Sequence, residues 1–448
     1  MTAGDFMSWI SDLPQGWAAP ELRRLVPAGI DGVKIGPFGS SLTLDQMTTD
    51  GTPVYGQEEV ISRDFSSPRR FVGDQKASEL QGYSTYPGDV LVTMMGTAGR
   101  CAAVPPNTAR GIFDSHLLRL RPLSADICPE FLVWVLNDST TTLSQIAASA
   151  RGSIMAGLNS AIVKSLRLPL PSLMRQSAIA AFLDHKTTAI DALIAKKERL
   201  IELLQEKRQV LITLAVTKGL DPNVRMKDSG VEWLGRVPEH WTISRLAFVS
   251  SAIQTGPFGS QLHAEDYVEG GVPVLNPANL LDGRPVPDNT KTVSPENAHR
   301  LTRHRVVYGD ILIGRRGEMG RCALITREAA GFVCGTGCLR VRLRADRANP
   351  RYCSIVLSLE GVARTLSLRS VGSTMENLNS RIVGSVEVPL PPVKEQSAIA
   401  DAVALIHEEY ESMRARLATS VELLREYRQA LISAAVTGRI EIPAEEVA

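Results

Sequence analysis

Two short segments carry the groups best suited to gripping a ligand. Gly36-Pro37-Phe38-Gly39-Ser40 recurs letter for letter as Gly256-Pro257-Phe258-Gly259-Ser260. Glycines let backbone N–H groups approach a phosphate closely, and the serine adds a hydroxyl donor. Gly36, Phe38, Ser40, Gly256, Phe258 and Ser260 are candidates on that reading. The competing reading is a tight turn in which Phe38 or Phe258 plugs the core. Gly96-Thr97-Ala98-Gly99-Arg100 and Arg315-Arg316-Gly317-Glu318-Met319-Gly320-Arg321 each follow a strand-like run. A guanidinium on such a loop can grip phosphate, or the O6/N7 edge of guanine, through two parallel bonds. This makes Thr97, Arg100, Arg315, Arg316 and Arg321 candidates, against the plainer reading of a solvated surface loop. The amides of Gln57 and Asn276 suit adenine, although amides are also ordinary turn residues.

Residues for bond-making chemistry are missing from the same regions. An amino-methyltransferase needs an Asn/Asp-Pro-Pro-Tyr/Phe loop, and Asn276-Pro277-Ala278-Asn279 lacks its second proline and its aromatic. A Gly-x4-Gly-Lys-Ser/Thr phosphate loop is absent, so no ATP motor is expected. Cys334 and Cys338 have no second Cys or His pair at zinc-ligand spacing, so they read as small core residues. The seven histidines are scattered, and Asp74-Gln75-Lys76 is too short to mark a nuclease. No catalytic residue, metal site or cofactor is expected in the chain. Six cysteines in 448 residues do not form a disulfide framework, no stretch is apolar enough to span a membrane, and Met1–Asp5 does not start a secretory signal. These features suggest a cytoplasmic protein with no membrane partner.

The elements that must position the loops come in duplicate. The second half repeats the first at an offset near 220: Pro53-Val54 as Pro273-Val274, Gly88-Asp89 as Gly309-Asp310, and Leu158-Asn159-Ser160 as Leu378-Asn379-Ser380. Gln176-Ser177-Ala178-Ile179-Ala180 returns at 396–400, and residues 203–217 match 423–437 at 10 of 15 positions. Each half starts with a Gly- and Pro-rich region of short β-type runs. Ser115–Arg121 and Gly337–Arg342 alternate as half-exposed strands would. Each half ends in a run without Gly or Pro, about 30 helical residues of which would extend roughly 45 Å. Its apolar stripe includes Ile190, Ile194, Ile201, Leu204 and Leu211, matched by Leu417, Val421, Leu424 and Leu431. Steps of three and four residues predict that the two helices pair with each other, antiparallel. The alternative is that each packs on its own globular domain.

The expected architecture is α+β: two similar α/β-mixed globular domains, residues 1–168 and 241–388, separated by a pair of long antiparallel α-helices. A spacer and linker occupy 169–240, and a distal helical spacer occupies 389–448. The formal net charge is +1, but residues 1–168 carry −2 and residues 241–388 carry +5. A first domain binding a polyanion therefore needs a local basic face such as Arg63, Arg69, Arg70 and Arg100, or phosphate contacts from a partner.

The helix-end motifs Ala215-Val216-Thr217-Lys218-Gly219-Leu220-Asp221 and Ala435-Val436-Thr437-Gly438-Arg439-Ile440 flank a distinctive linker, Met226-Lys227-Asp228-Ser229-Gly230-Val231-Glu232-Trp233-Leu234-Gly235. With the duplication, they make the whole chain resemble the specificity subunit of a type I restriction–modification system. That resemblance implies two target-recognition domains, each reading half of a bipartite double-stranded DNA sequence. It also implies that the helices separate these domains and dock two adenine-N6 methyltransferase subunits, with two translocating endonuclease subunits joining some complexes. S-adenosylmethionine, and ATP and Mg where an endonuclease is present, would belong to those partners. The first copy departs from the family pattern at Arg175, where Glu395 has the usual acidic residue, and at Ile154, where Thr374 is usual. Two other classes compete: a self-sufficient enzyme with duplicated substrate lobes, and a purely structural coiled-coil scaffold. The missing motifs oppose the first, and the diverged arginine loops oppose the second.

Overall fold

A computed structural model of the chain describes residues 9–95, 99–150, 159–258, 261–316, 320–370 and 378–442. It has two units: Met1–Glu198 with Ala418–Ala448, and Arg199–Leu417. Among the described residues, no helix is long and apolar enough to cross a membrane.

The first unit contains two four-stranded sheets. One has the order Val33–Ile35, Leu117–Leu120, Val90–Thr93, Cys101–Ala103, antiparallel throughout. The other has the order Phe71–Val72, Thr52–Tyr55, Gly111–Phe113, Ser84–Thr85, with Thr52–Tyr55 and Gly111–Phe113 parallel. The second unit repeats the first arrangement with Ser250–Thr255, Cys338–Leu343, Ile311–Gly314 and Cys322–Leu324. Its other sheet again contains a parallel pair, Val272–Leu275 with Val333–Cys334.

Alternation in the central strands does not mean half-exposure. Leu117–Leu120 is buried at every position, including Arg119. Burial on both sides leaves the guanidinium no water, so carbonyl oxygens accept from its Nη groups, while among the described residues its Nε has no hydrogen-bond partner. Arg119 donates to Ser84 O at 2.7 Å and Asp31 O at 3.1 Å. Its counterpart Arg340 donates to Arg305 O at 2.7 Å and Gln254 Oε1 at 2.8 Å. The repeated Gly-Asp pair is a second tie. Asp89 accepts two bonds from Arg121, at 2.8 and 3.0 Å, and one from Tyr86 N at 2.9 Å. Asp310 does the same with Arg342 and Val307 N.

The helical reading falls short in length. The central helix runs Leu173–Lys218 for 46 residues and the distal helix Val393–Val436 for 44, each roughly 65–70 Å at 1.5 Å per residue. Within the first unit the two helices meet in opposite directions, Arg428 Nε bonding Asp191 at 3.0 Å and Arg425 bonding Glu198 at 2.7 Å. Within the second, the Arg208 guanidinium lies 5.0 Å over the Tyr410 ring. Ile190 and Val421 are buried, while Ile194, Ile201, Leu204, Leu417, Leu424 and Leu431 are half-buried. Leu211 is the exception at 38% exposed, because Ile212 takes the inward position there.

The helix ends pack into domain cores, so the competing reading of helix-on-domain packing is also partly right. Ile432, Ala435 and Val436 join Ile179, Leu183 and Phe131 in the first unit's core. Ile212, Ala215 and Val216 join Trp241, Tyr352 and Ile399 in the second. The repeated glutamines fix the start of each helix to its own domain. Gln176, fully buried, accepts from Cys128 N at 2.7 Å and donates to Asp126 O and Pro171 O. Gln396 does likewise with Asn349 N, Arg347 O and Pro391 O. Each amide satisfies three backbone groups, and its bond to Pro171 O or Pro391 O is fully buried. Gln176→Leu and Gln396→Leu are therefore expected to cost about 3 kcal/mol each, read as a lower denaturation midpoint of the full chain; a loss of only a few tenths would show that water replaces the amide.

Candidate nucleic-acid interface

The repeated pentapeptides leave the ends of the edge strands Val33–Ile35 and Ser250–Thr255. Gly36 N donates to Leu117 O, and Gly256 N to Cys338 O, both at 2.9 Å. A Cβ on Gly36 would stand 1.9 Å from Asp114 O, and one on Gly256 1.9 Å from Gly335 O. Crossing backbone is thus sufficient reason for glycine at both positions. The aromatics do not plug the core: Phe38 is 83% exposed and Phe258 49%. Ser40 is exposed; Ser260 lies outside the described residues, as do Thr97 and the segments 151–158 and 371–377 that include Ile154 and Thr374.

Four loops converge where these strands end. In the first unit Asp114 N donates to Tyr55 O at 3.0 Å and Met94 N to His116 O at 2.9 Å. Gln57 donates its amide N–H to Met95 O at 3.0 Å, so this side chain braces one loop against another. Arg70 pairs with Asp114 Oδ2 at 3.0 Å, and Asp114 Oδ1 accepts from His116 N at 2.9 Å. Arg100 is exposed on the loop that follows Val90–Thr93, its N–H held by Thr93 Oγ1 at 3.1 Å. The other two members of the expected basic face lie differently. Arg63, in a left-handed conformation at φ 55°, has its guanidinium 5.6 Å over the Trp134 ring. Arg69 pairs with exposed Glu58 at 2.9 Å.

The second unit builds the same end with different side chains. Gly335 N donates to Leu275 O at 2.9 Å and Arg315 N to Gly337 O at 2.8 Å. A Cβ on Gly335 would meet Asn276 Oδ1 at 2.2 Å, so Asn276 sits against the second unit's own counterpart of the Asp114 loop. Arg315 is only 5% exposed. Its Nε donates to Leu378 O at 2.7 Å and its guanidinium lies 4.6 Å over the Phe258 ring. Burial first, then the charge of Arg316, lowers its pKa. Arg315 thus organises the loop, while Arg316 is exposed and Arg321 half-exposed. Asp114 and His116 are not singled out by the sequence: His116 falls inside the alternating run Ser115–Arg121, and Asp114 lies just before it. Cys334 and Cys338 lie in a buried cluster with Leu275, Leu312 and Ile325, and burial pushes the Cys334 thiol up to about 12.

Comparison with known proteins agrees with this duplicated layout. Residues 54–203 and 238–418 match the family described as Type I restriction modification DNA specificity domain. The type I restriction enzyme EcoKI specificity subunit of Escherichia coli strain K12 is 25% identical, covering 96% of this chain and 90% of its own length. The StySPI specificity subunit of Salmonella potsdam is 21% identical over 96% of this chain and 90% of its own. Among solved structures, the HsdS subunit from Thermoanaerobacter tengcongensis is similar in fold, with TM-score 0.58 at 19% identity, covering 96% of this chain and 98% of that one. A chain from a study of complex assembly and conformational transition of the type I R-M system reaches TM-score 0.73 at 19% identity, covering 96% and 99%. With both halves matched to the family, the chain belongs to the type I restriction–modification specificity subunits, which recognise DNA and are not themselves catalytic.

Proposed function

We propose that this chain reads a bipartite double-stranded DNA target, one half-site per recognition domain, and docks two adenine-N6 methyltransferase subunits. In complexes that also restrict, two translocating endonuclease subunits join. S-adenosylmethionine is then bound by the methyltransferase, ATP and Mg by the endonuclease, and the assembly works in the cytoplasm.

The observation that carries this reading is the pair of four-loop ends. Their backbone bonds correspond, yet one presents Arg70, Asp114 and His116 where the other presents Lys291, Gly335 and Gly337. One scaffold with two surface chemistries suits two different short sequences, since base edges are told apart by their donor and acceptor patterns. Exposed Phe38 and Phe258 add apolar area beside these loops. Docking is supported by the long helices, whose Leu193, Leu200, Leu203, Val210 and Leu214, with Leu405, Leu423 and Tyr427, remain exposed. Apolar rows of that size on helices suit partner polypeptides.

Three outcomes are expected. The isolated chain should bind DNA with a shallow salt dependence, and the methyltransferase complex with a steeper one. The log–log slope should steepen by roughly 0.9 for each phosphate the partners neutralise, so equal slopes would contradict the reading. Phe38→Ala should weaken DNA binding of the complex roughly tenfold without moving the thermal midpoint, given the apolar area a phenylalanine buries; unchanged affinity would remove the pentapeptide loop from the interface. Inserting one helical turn at matched points of both long helices, within 187–216 of the central one, should lengthen the unspecified spacer in the methylated motif and keep both half-sites. Altered half-site sequences would refute the helices' role as a ruler.

A further inference from the structure

Arg208 and Arg428 are repeat counterparts on the two long helices, but among the described residues only Arg428 is hydrogen-bonded to a carboxylate. In the first unit Arg428 Nε donates to Asp191 Oδ1 at 3.0 Å, and its Nη1 lies 3.6 Å from Asp138 Oδ1. In the second unit the counterpart of Asp138 is Leu359, buried in the core, and that of Asp191 is Glu411. Glu411 is bonded by Arg414, at 3.0 and 2.7 Å. Among the described residues, Arg208 Nε is consequently buried with no hydrogen-bond partner, and His407 Nδ1 on the distal helix is in the same state.

Both orphaned groups line an open cleft of about 850 Å³ within the second unit. Its walls include apolar Ile212, Leu280 and Val403, with Arg284 and Arg321 also lining it. Two counterparts explain why the cleft exists. Ile355 and Ala404 line it, whereas the first unit has Trp134 and Asp184 there, joined by an indole N–H bond at 3.1 Å. The first unit therefore fills this position and hydrogen-bonds its arginine to a carboxylate, whereas in the second Glu411 acts on Arg208 and His407 only through its charge.

We propose that the cleft receives a mainly apolar segment of a partner protein bearing a carboxylate, which takes hydrogen bonds from Arg208 and His407 in place of the missing aspartate. A buried donor left unpaired destabilises the free chain, and a charged acceptor reverses that. A DNA duplex is too broad to bring a phosphate to a buried atom, while a single acidic side chain can reach it. The inference rests on the reading that methyltransferase subunits dock on this chain, and it names one contact of that docking.

The test uses the full chain and its cognate methyltransferase subunit, with Arg208→Gln, Arg208→Lys and Arg428→Gln variants. Arg428→Gln should lower the thermal midpoint of the free chain, whereas Arg208→Gln should leave it unchanged or raise it. Arg208→Gln should weaken methyltransferase binding by at least about tenfold, with Arg208→Lys retaining part of the affinity. Equal destabilisation by Arg208→Gln and Arg428→Gln, or wild-type affinity in Arg208→Gln, would overturn the contact alone. A wild-type chain that fails to bind the methyltransferase would overturn the docking reading, and this contact with it.

Discussion

Each recognition domain is closed by the end of a helix that starts in the other half of the chain. Val436 and Val216, both fully buried, are the anchors: one enters the core beside Ile179 and Leu183, the other beside Trp241 and Ile399. Neither domain completes its core from its own half alone. Hydrophobic burial at these joints is non-directional, so direction must come from polar groups. On the incoming helices, Gln429 donates to Asp138 O and Val216 O accepts from Tyr352 OH at 3.3 Å, while Gln176 and Gln396 fix the start of each helix to its own half.

The linker motifs have a related origin. Gly219 and Gly438 end the two helices at φ 78° and 73°, a left-handed conformation that favours glycine. A Cβ on Gly438 would meet Pro14 and Trp17, and one on Gly219 would meet Trp241. The repeated Pro-x-x-Trp that opens each domain thus covers the helix end that docks on it. Trp241 also donates its indole N–H to Glu395 at 3.0 Å. Arg175 stands at the first-copy counterpart of Glu395 and cannot accept that bond. The internal contact accounts for the acidic residue of the second copy, and nothing in the structure explains Arg175 in the first.

Much of the frame was legible in the sequence because its ties are residue-specific. A buried glutamine, an N-capping asparagine such as Asn159 or Asn379, and an aspartate clamping Arg121 or Arg342 tolerate few replacements, so they survive as repeats. Periodicity alone was less reliable. It made Arg119 and Arg340 look solvent-facing, because alternation cannot tell water from a ring of backbone carbonyls. It placed Leu211 on the pairing face, although near the domain the helix turns Ile212 inward instead. Alternation absorbed His116 into a strand and left Asp114 outside it; their proximity to Arg70 and Met94 is a tertiary fact.

Duplication with divergence explains how such a chain can change what it reads without losing its frame. The loop backbones are held by strand-to-loop hydrogen bonds, such as Asp114 N to Tyr55 O and Gly335 N to Leu275 O, in which side chains take no part. Replacing Asp114 by glycine at the equivalent place therefore removes an acceptor and its Arg70 pair while the loop path persists. The glycines that carry the path, Gly36 and Gly256, cannot drift in the same way, because a side chain would overlap the crossing carbonyl. Selection for new contacts is thus confined to positions whose side chains leave the frame, and the identical pentapeptides marked the support of each surface more directly than they marked the residues that discriminate.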